Sequence, residues 1–241
     1  MTGAEGAKPL RGTDLRLEVA TATRVLAVAG LFDMHGHISI RDGDALYICD
    51  RGASRLTVRP ELIASVRISD GKRLSDATPP SETAIHLAAY RAKPDVRSVA
   101  HFHPLYATAF AVAGKPLDVA SNAGAFFGGT IPVHDNPELI RTDELGVPVA
   151  RDMGASGAVL LRGHGALVVG GDVQECATAA LYLEESAHRN YLAANLGRIK
   201  VYTPDEIRRV REMLASRFVI EKTWLYALEK ARVAGALSDL D

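Results

Sequence analysis

The chain has 241 residues, of which 47% are hydrophobic, and this suffices to bury the core of one large domain. Its 28 basic and 29 acidic residues nearly cancel, so no long-range field favours a nucleic-acid or membrane partner. We find neither a secretory leader nor an apolar run long enough to cross a bilayer, so we expect a cytoplasmic protein that acts on a small molecule.

The N-terminal third is predicted to begin with a helix and a β-hairpin. Apolar residues between Leu15 and Ala29 follow one helical stripe, and Gly30 is suited to end it. Residues 37–40 and 45–48 are short apolar stretches joined by a glycine-containing turn, which indicates a hairpin. Residues 1–12 have no apolar period, so we expect them to be flexible.

The middle of the chain alternates helices and short strands. Pro79-Pro80-Ser81 predicts the start of a helix over residues 82–92, with Ser81 as its cap. The next predicted elements are a strand over 96–103, a helix over 105–113 and a strand over 130–133. Two buried strands, 158–161 and 166–169, then flank a tight turn.

The C-terminal part is predicted to be helical. Asp172 and Glu175 form a helix-entry pair, and Gly197 is suited to end that helix. Thr203 precedes a helix over residues 204–215, and a last amphipathic segment reaches Ala234. Because strands and helices interleave without a repeat or linker, we expect one α/β domain over residues 1–241, with a mixed sheet covered by helices.

The two cysteines, Cys49 and Cys176, lie far apart in the sequence. Cytosolic thiols usually stay reduced, so we expect no disulfide between them. We interpret both as small apolar core residues.

Three histidines are candidate ligands of a metal ion. Residues two apart on a strand project from the same face, so His101 and His103 should point the same way. Gly163 and Gly165 flank His164 and permit a sharp turn with a close approach to a ligand. Three neutral imidazoles with an open position are typical of a catalytic metal site. Each histidine taken alone is also explained as an ordinary strand or turn residue.

Glu82 is the candidate proton-transfer residue. In the first turn of a helix the dipole favours its carboxylate, whereas burial beside Ile85 favours its acid form. These opposing effects predict a carboxyl group that titrates near neutral pH. The alternative is an ordinary glutamate at a helix start. His86 lies one turn further on the same face, where it either supports the site or only packs the helix.

Taken together, these motifs resemble the class II aldolase and adducin family over most of the chain. The resemblance rests on Gly36-His37-Ile38-Ser39-Ile40-Arg41, Pro80-Ser81-Glu82, His101-Phe102-His103-Pro104 and Leu161-Arg162-Gly163-His164-Gly165. It implies that His101, His103 and His164 bind a divalent metal, with Glu82 as acid or base beside it. It also implies an αβα-layered fold and a cyclic homotetramer with sites between subunits.

The three histidines indicate which metals could bind and favour a catalytic protein over a non-catalytic one. Zinc is the metal we expect first, and manganese, cobalt or iron also fit if water completes the coordination. Non-catalytic adducin-like members generally lack a complete ligand set, whereas this chain keeps all three histidines. A non-catalytic scaffold is therefore the least favoured alternative.

The region around His37 distinguishes two lyase activities. In the sugar-phosphate aldolases of the family an asparagine occupies the His37 position, and a serine occupies the position of Pro80. The phosphate-binding groups are thus missing, and Gly-His-x-Ser resembles metal-dependent decarboxylases of hydroxylated aromatic or heteroaromatic dicarboxylates and of carboxylated ring-cleavage products. A decarboxylase is favoured, and an aldolase that cleaves a hydroxy-ketone or sugar-derived substrate is the alternative.

The same motifs predict that Ser39, Arg41 and Ser81 bind the substrate and that His37 is a catalytic residue together with Glu82. A histidine near Arg41 and Arg51 in the sequence would bind a carboxylate through charge-assisted hydrogen bonds. The alternative for His37 is a hairpin residue bonded to the backbone. In either lyase reaction a C–C bond breaks to leave an enolate-like carbanion, which a metal stabilises as a Lewis acid. We expect His37 to position the substrate and Glu82 to protonate that carbanion.

Overall fold

The structure is a computed structural model that describes residues 12–240. In this part of the chain the α-helices are α1 (Gly12–Val28), α2 (Thr83–Ala92), α3 (Leu105–Val112), α4 (Asn122–Ala125), α5 (Asp143–Met153), α6 (Val173–Leu196), α7 (Pro204–Leu214) and α8 (Arg217–Val233). The strands are β1 (His37–Asp42), β2 (Ala45–Cys49), β3 (Ile63–Arg67), β4 (Ser98–Phe102), β5 (Val133–His134), β6 (Ala158–Leu161) and β7 (Gly165–Gly170). We predicted that residues 1–12 are flexible, and all of these except Gly12 lie outside the described residues.

All seven described strands form one mixed sheet in the order β3-β2-β1-β4-β7-β6-β5. Neighbouring strands are antiparallel except β5 and β6, which are parallel. The predicted hairpin is confirmed, since Asp42 of β1 pairs with Ala45 of β2 across a two-residue loop. The central pairing of β1 with β4 sets His37 opposite His101. Two residues that the sequence places 64 positions apart are thereby neighbours.

Helices cover both faces of this sheet, which confirms the predicted αβα layering. Alternating side chains such as Ile38, Ala100 and Phe102 pack into a core with residues of α1, α3 and α6. On the opposite face, Val99 and Leu167 pack against residues of α2 and α5. The strand residues His37 and His101 alternate with the first set, so they lie on the face that α2 covers.

The predicted helix starts are largely confirmed by their caps. The Asp172 side chain accepts the N–H of Glu175 at the start of α6, and Thr203 forms a capping box at the start of α7. The prediction that Ser81 caps α2 is wrong. Glu82 is the N-cap residue, and Ser81 is exposed while the Thr83 hydroxyl bonds to the carbonyl of the turn.

Other predicted features differ little from the structure. The strand expected over 96–103 spans only Ser98–Phe102, so His103 lies just beyond its end. The strand expected over 130–133 is shifted to Val133–His134. Cys49 and Cys176 are buried and free, as predicted. Among the described helices, none is both long and apolar enough to cross a bilayer.

Candidate active site

His101, His103 and His164 come together in space, as the sequence predicts. One ring nitrogen from each lies within 4.8 Å of the corresponding atoms of the other two. The ring centroids are 4.8 to 5.1 Å apart. His101 is fully buried on β4, His103 follows that strand, and His164 lies in the turn between β6 and β7. We call this set the histidine trio.

Hydrogen bonds fix the orientation of the two rings near β4. Nδ1 of His101 lies 3.0 Å from the carbonyl oxygen of Ala166, and Nδ1 of His103 lies 3.0 Å from a carboxylate oxygen of Asp33. Both partners are acceptors, so both Nδ1 atoms donate and both Nε2 atoms carry a lone pair. Each Nε2 atom is buried and has no hydrogen-bond partner among the described residues. Unpaired lone pairs on buried neighbouring rings fit a bound cation.

His164 completes the trio from a turn that requires glycine. Its Nδ1 atom is also buried without a hydrogen-bond partner in the described part of the chain. Gly163 has a φ of 66°, which favours glycine, and the space around it is open. At Gly165, by contrast, a Cβ would lie 2.3 Å from the Phe102 carbonyl oxygen and 2.7 Å from the His103 ring. The absence of a side chain at Gly165 therefore lets the turn approach His103.

Asp33 is a residue in contact with the trio that the sequence interpretation missed. One carboxylate oxygen accepts the backbone N–H groups of His35 at 2.7 Å and Gly36 at 3.0 Å, while the other accepts Nδ1–H of His103. Burial raises the pKa of Asp33, but the hydrogen bonds outweigh it and hold the pKa below its usual value. An isolated acid in a loop gives no periodic signal. Its nearness to Gly36-His37 was the only pointer available.

Glu82 lies beside the trio, at the N-cap of α2. Its Oε1 atom accepts the N–H of Ile140 at 2.9 Å. Its Oε2 atom lies 3.7 Å from Nε2 of His101 and 3.5 Å from Nε2 of His164. Burial raises the pKa of Glu82, but hydrogen bonds and positive charge from His101 and His164 in their protonated forms outweigh burial and lower the pKa below its usual value. The expectation that this carboxyl group titrates near neutral pH is therefore wrong, because it underestimated the neighbouring rings.

A second group of buried polar side chains adjoins the trio on the face under α2. Nδ1 of His37 lies 2.8 Å from Nε2 of His86, and Nδ1 of His86 lies 2.7 Å from the Ser39 hydroxyl. That hydroxyl lies 2.8 Å from the phenol oxygen of Tyr90. We call these four residues the buried network. His37 is thus bonded to a side chain and not to the backbone, and its ring centroid is 5.2 Å from that of His101.

The buried network has a simple structural origin. Alternate residues of β1, His37 and Ser39, face α2, on which His86 and Tyr90 lie one turn apart. Burial, together with the neighbouring histidines, lowers the pKa of His37 well below its usual value and that of His86 to about 3. Both rings are therefore neutral at physiological pH.

The other predicted substrate-binding residues do not all lie close to the histidine trio. Arg41 lies at the far end of β1, where its guanidinium donates to the Tyr90 carbonyl at 3.1 Å and the Pro94 carbonyl at 3.3 Å. It therefore does not reach the trio. Ser39 belongs to the buried network, whereas Ser81 is exposed one residue before Glu82. Arg51 lines a cavity of about 640 Å³ that Asp33 also borders.

Comparison with known proteins gives consistent matches. The family model described as the class II aldolase and adducin N-terminal domain matches residues 17–191. A 3,4-dihydroxyphthalate decarboxylase of Rhodococcus jostii (strain RHA1) is 32% identical over 90% of this chain and 95% of its own. The protein of that name from Arthrobacter keyseri is 29% identical over 95% of this chain and 97% of its own.

A solved structure is also similar along most of its length. An L-fuculose 1-phosphate aldolase is 25% identical and superimposes with a TM-score of 0.79. The match covers 89% of this chain and 100% of the other. The similar proteins thus include lyases of two kinds, which break a bond to a carboxyl carbon or to a sugar-phosphate fragment.

Proposed function

The chain belongs to the class II aldolase and adducin family, and on that premise we propose that it is a metal-dependent decarboxylase of hydroxylated aromatic dicarboxylates. The first candidate substrate is 3,4-dihydroxyphthalate, from the names of the relatives that match almost the whole chain. The observation that carries the proposal is the histidine trio, with its buried unpaired nitrogens next to the Glu82 carboxylate.

His101, His103 and His164 would hold the divalent cation. The cation supplies a Lewis acid that lowers the energy of the negative charge left on the substrate oxygen when CO2 departs. We propose zinc first, because it commonly binds three imidazoles in catalytic sites, with manganese, cobalt or iron as the other candidates. Asp33 and the Ala166 carbonyl orient two of the rings from behind.

Glu82 would move the proton. Its lowered pKa leaves it ionised before the substrate binds, so it accepts the proton of a ring hydroxyl. Glu82 then returns that proton to the ring carbon that bears the carboxylate, and when the bond to the carboxyl carbon breaks, its electron pair passes through the ring to the deprotonated oxygen as CO2 leaves. Since Oε1 is occupied by the N–H of Ile140, Oε2 is the atom that accepts and donates the proton.

The turn after β2 supports a decarboxylase over a sugar-phosphate aldolase. The carboxylate of Asp50 accepts the N–H of Gly52 at 2.7 Å and the N–H of Thr78 at 2.6 Å. In the sugar-phosphate aldolases that the motifs resemble, a Thr-Gly or Ser-Gly turn at this place helps to bind the phosphate, but here the internal carboxylate of Asp50 already occupies the N–H of Gly52 in the turn and the N–H of Thr78 in the loop before α2. Pro80 removes a further hydroxyl from the same region.

The substrate carboxylate that is retained needs a positive or hydrogen-bonding partner. We propose Arg51, which lines the cavity bordered by Asp33, and the exposed Ser81 hydroxyl next to Glu82. His37 would position the ring of the substrate from the side of β1. Arg41 is not included, because backbone carbonyls already bind its guanidinium.

We further propose a homotetramer located in the cytoplasm. Two large apolar side chains next to the site, Met34 and Leu105, are 76% and 73% exposed. A neighbouring subunit would cover both, in keeping with the sites between subunits that the resemblance implies. The two free cysteines are consistent with a reducing compartment.

The deciding experiment measures CO2 release from 3,4-dihydroxyphthalate by the protein loaded with Zn²⁺ or Mn²⁺. Aldol cleavage of L-fuculose 1-phosphate is measured in parallel. We expect metal-dependent CO2 release, no aldol cleavage, and loss of activity in His101→Ala. Cleavage of the sugar phosphate without CO2 release would overturn the decarboxylase in favour of the aldolase. Inactivity toward both substrates with a full complement of metal would contradict the proposal as well.

A further inference from the structure

In the buried network, the atom to which Tyr90 donates its proton determines which atom donates and which accepts in each hydrogen bond between Tyr90 and His37. The Tyr90 phenol has one proton and three acceptors within reach: the Ser39 hydroxyl oxygen at 2.8 Å, the Ser39 carbonyl oxygen at 3.0 Å and, at the longer distance of 3.5 Å, the Arg97 carbonyl oxygen. Burial raises the pKa of Tyr90 far above its usual value, so the phenol keeps its proton. The destination of this proton determines every hydrogen bond further along the network.

In the first arrangement Tyr90 donates to the Ser39 carbonyl. The Ser39 hydroxyl then donates to Tyr90, and its oxygen must accept from Nδ1–H of His86. Nε2 of His86 therefore has no proton and accepts from Nδ1–H of His37. His37 is left with a lone pair on Nε2, the ring nitrogen that His86 does not occupy.

In the second arrangement every donor is reversed. Tyr90 donates to the Ser39 hydroxyl, which donates to His86, which donates to His37, so Nε2 of His37 carries the proton. This arrangement has three hydrogen bonds against four in the first, because no proton then lies between Tyr90 and the Ser39 carbonyl. The first arrangement is favoured by that additional buried hydrogen bond.

We propose that Ser39, His86 and Tyr90 are positioning residues that fix His37 in the tautomer with its proton on Nδ1. His37 then presents a lone pair to the substrate. A lone pair accepts a hydrogen bond from a hydroxyl and repels a carboxylate, so the partner of His37 is a substrate hydroxyl. This differs from the carboxylate-binding role that the sequence suggested.

The inference assigns a contact to one hydroxyl of the proposed substrate, and this part rests on the proposed function. The ring of His37 adjoins that of His101, with centroids 5.2 Å apart. One substrate oxygen at the trio and a second at His37 would thus be close neighbours, as are the oxygens of hydroxyl groups on adjacent ring atoms. The proposed substrate, 3,4-dihydroxyphthalate, carries such a pair of adjacent hydroxyls, and the inference assigns one of them to His37.

The tautomer is measured directly by nitrogen-15 NMR of the zinc-loaded protein with labelled histidine. Long-range correlations between ring nitrogens and ring protons distinguish a protonated from an unprotonated nitrogen, and His37→Asn assigns the signals by their loss. We expect a protonated Nδ1 and an unprotonated Nε2 on His37. A protonated Nε2 in the wild type would overturn the inference. This measurement uses no substrate, so it is independent of the proposed decarboxylation.

Tyr90→Phe tests the direction of the network from its distal end. Without the phenol, the buried Ser39 proton has only His86 as an acceptor in the network, so the Nε2–H tautomer of His37 becomes the major form. Tyr182→Phe is the matched control, since Tyr182 bonds to Thr223 outside the network. An unchanged His37 tautomer in Tyr90→Phe contradicts the inference. If that variant does not fold, Ser39→Ala cuts the same link and should give a mixture of both tautomers, whereas a pure Nδ1–H form would contradict it.

Kinetics provide a second readout. In Tyr90→Phe we expect kcat/KM for 3,4-dihydroxyphthalate to fall about tenfold, the equivalent of one hydrogen bond. An analogue that lacks the hydroxyl facing His37 should lose nothing further in this variant. Equal losses for both substrates would contradict the assigned hydroxyl contact. Absence of CO2 release by the wild type, together with the expected tautomer, would overturn the proposed function and leave the proton assignment intact.

Discussion

Two groups of histidines adjoin each other at the ends of β1 and β4, and they differ in what their ring nitrogens contact. In the trio of His101, His103 and His164, each ring keeps one buried nitrogen without a hydrogen-bond partner among the described residues. In the buried network, His37 and His86 bond to each other. The difference separates a ligand from a positioning residue. A ring with a buried unpaired nitrogen is suited to bind a cation, whereas a ring bonded to another ring fixes the orientation of that ring.

Removal of a trio ligand should have the largest effect. In His101→Ala we expect bound metal to fall from about one ion per chain to almost none, and CO2 release to fall to background, because two ligands rarely hold a catalytic cation. Elemental analysis and the CO2 assay measure the two losses. His188→Ala is the control, since that ring stacks on Tyr106 at 3.9 Å, away from the trio. Metal retained at wild-type level would place the cation elsewhere.

Glu82→Gln should separate chemistry from metal binding. The amide still accepts the N–H of Ile140 but does not take up a proton, so we expect kcat to fall by about 10²–10⁴-fold while the metal stays bound. Steady-state kinetics and elemental analysis of one preparation give both numbers. Glu185→Gln, on the exposed part of α6, is the matched control. If Glu82→Gln contains less metal but has an unchanged kcat per bound metal ion, Glu82 is a metal ligand and not the proton-transfer residue.

Asp33→Asn should produce an intermediate effect. An amide N–H facing Nδ1 of His103 would favour the tautomer whose lone pair is on Nδ1, so Nε2 would be protonated and unable to bind the cation. We expect metal affinity to fall by about 10–100-fold. Titration against a competing chelator measures it. Asp70→Asn, in an exposed turn next to Arg67, should leave the affinity unchanged. Equal affinities of Asp33→Asn and wild type would show that the Asp33 contact has no influence on the ligand.

The buried network should contribute a smaller, pH-dependent effect on stability. The pKa of His86 is about 3 in the folded protein, against an ordinary value of 6.5 for histidine. The unfolded chain therefore binds a proton below pH 6.5 that the native protein does not bind until about pH 3. The contribution of His86 to the free energy of unfolding is fully present above pH 6.5. It is lost as the pH falls from 6.5 to about 3, at up to about 1.4 kcal/mol per pH unit.

Urea unfolding between pH 7 and pH 4, in the presence of a chelator, measures that slope. His86→Gln removes the titrating ring, so its free energy of unfolding should depend less steeply on pH by about one proton. Parallel slopes for the two proteins would mean that His86 is not held neutral in the native state.

The periodic parts of the molecule were predictable from the sequence. Strand alternation placed His101 and His103 on one face, and the glycines around His164 indicated the turn that brings it to them. The helix entries at Asp172 and Thr203 follow from local capping chemistry that the structure confirms.

The parts that the sequence did not predict depend on contacts between distant segments. Asp33 meets His103 across 70 residues, and no local pattern encodes that contact. Arg41 was grouped with His37 by motif, but four residues along a strand span about 13 Å, so its guanidinium meets the far end of α2. The pKa of Glu82 was misjudged because it depends on the rings of His101 and His164, which only the folded chain brings near.

The two glycines that flank His164 should differ in mutational tolerance. In a saturation library, Gly163 should admit asparagine or aspartate, because its surroundings are open and these residues adopt a positive φ at modest cost. Gly165 should admit nothing else, because even a methyl group would displace the Phe102 backbone and the His103 ring. In related sequences, a residue other than glycine at this position would therefore indicate a chain that no longer binds the metal ion.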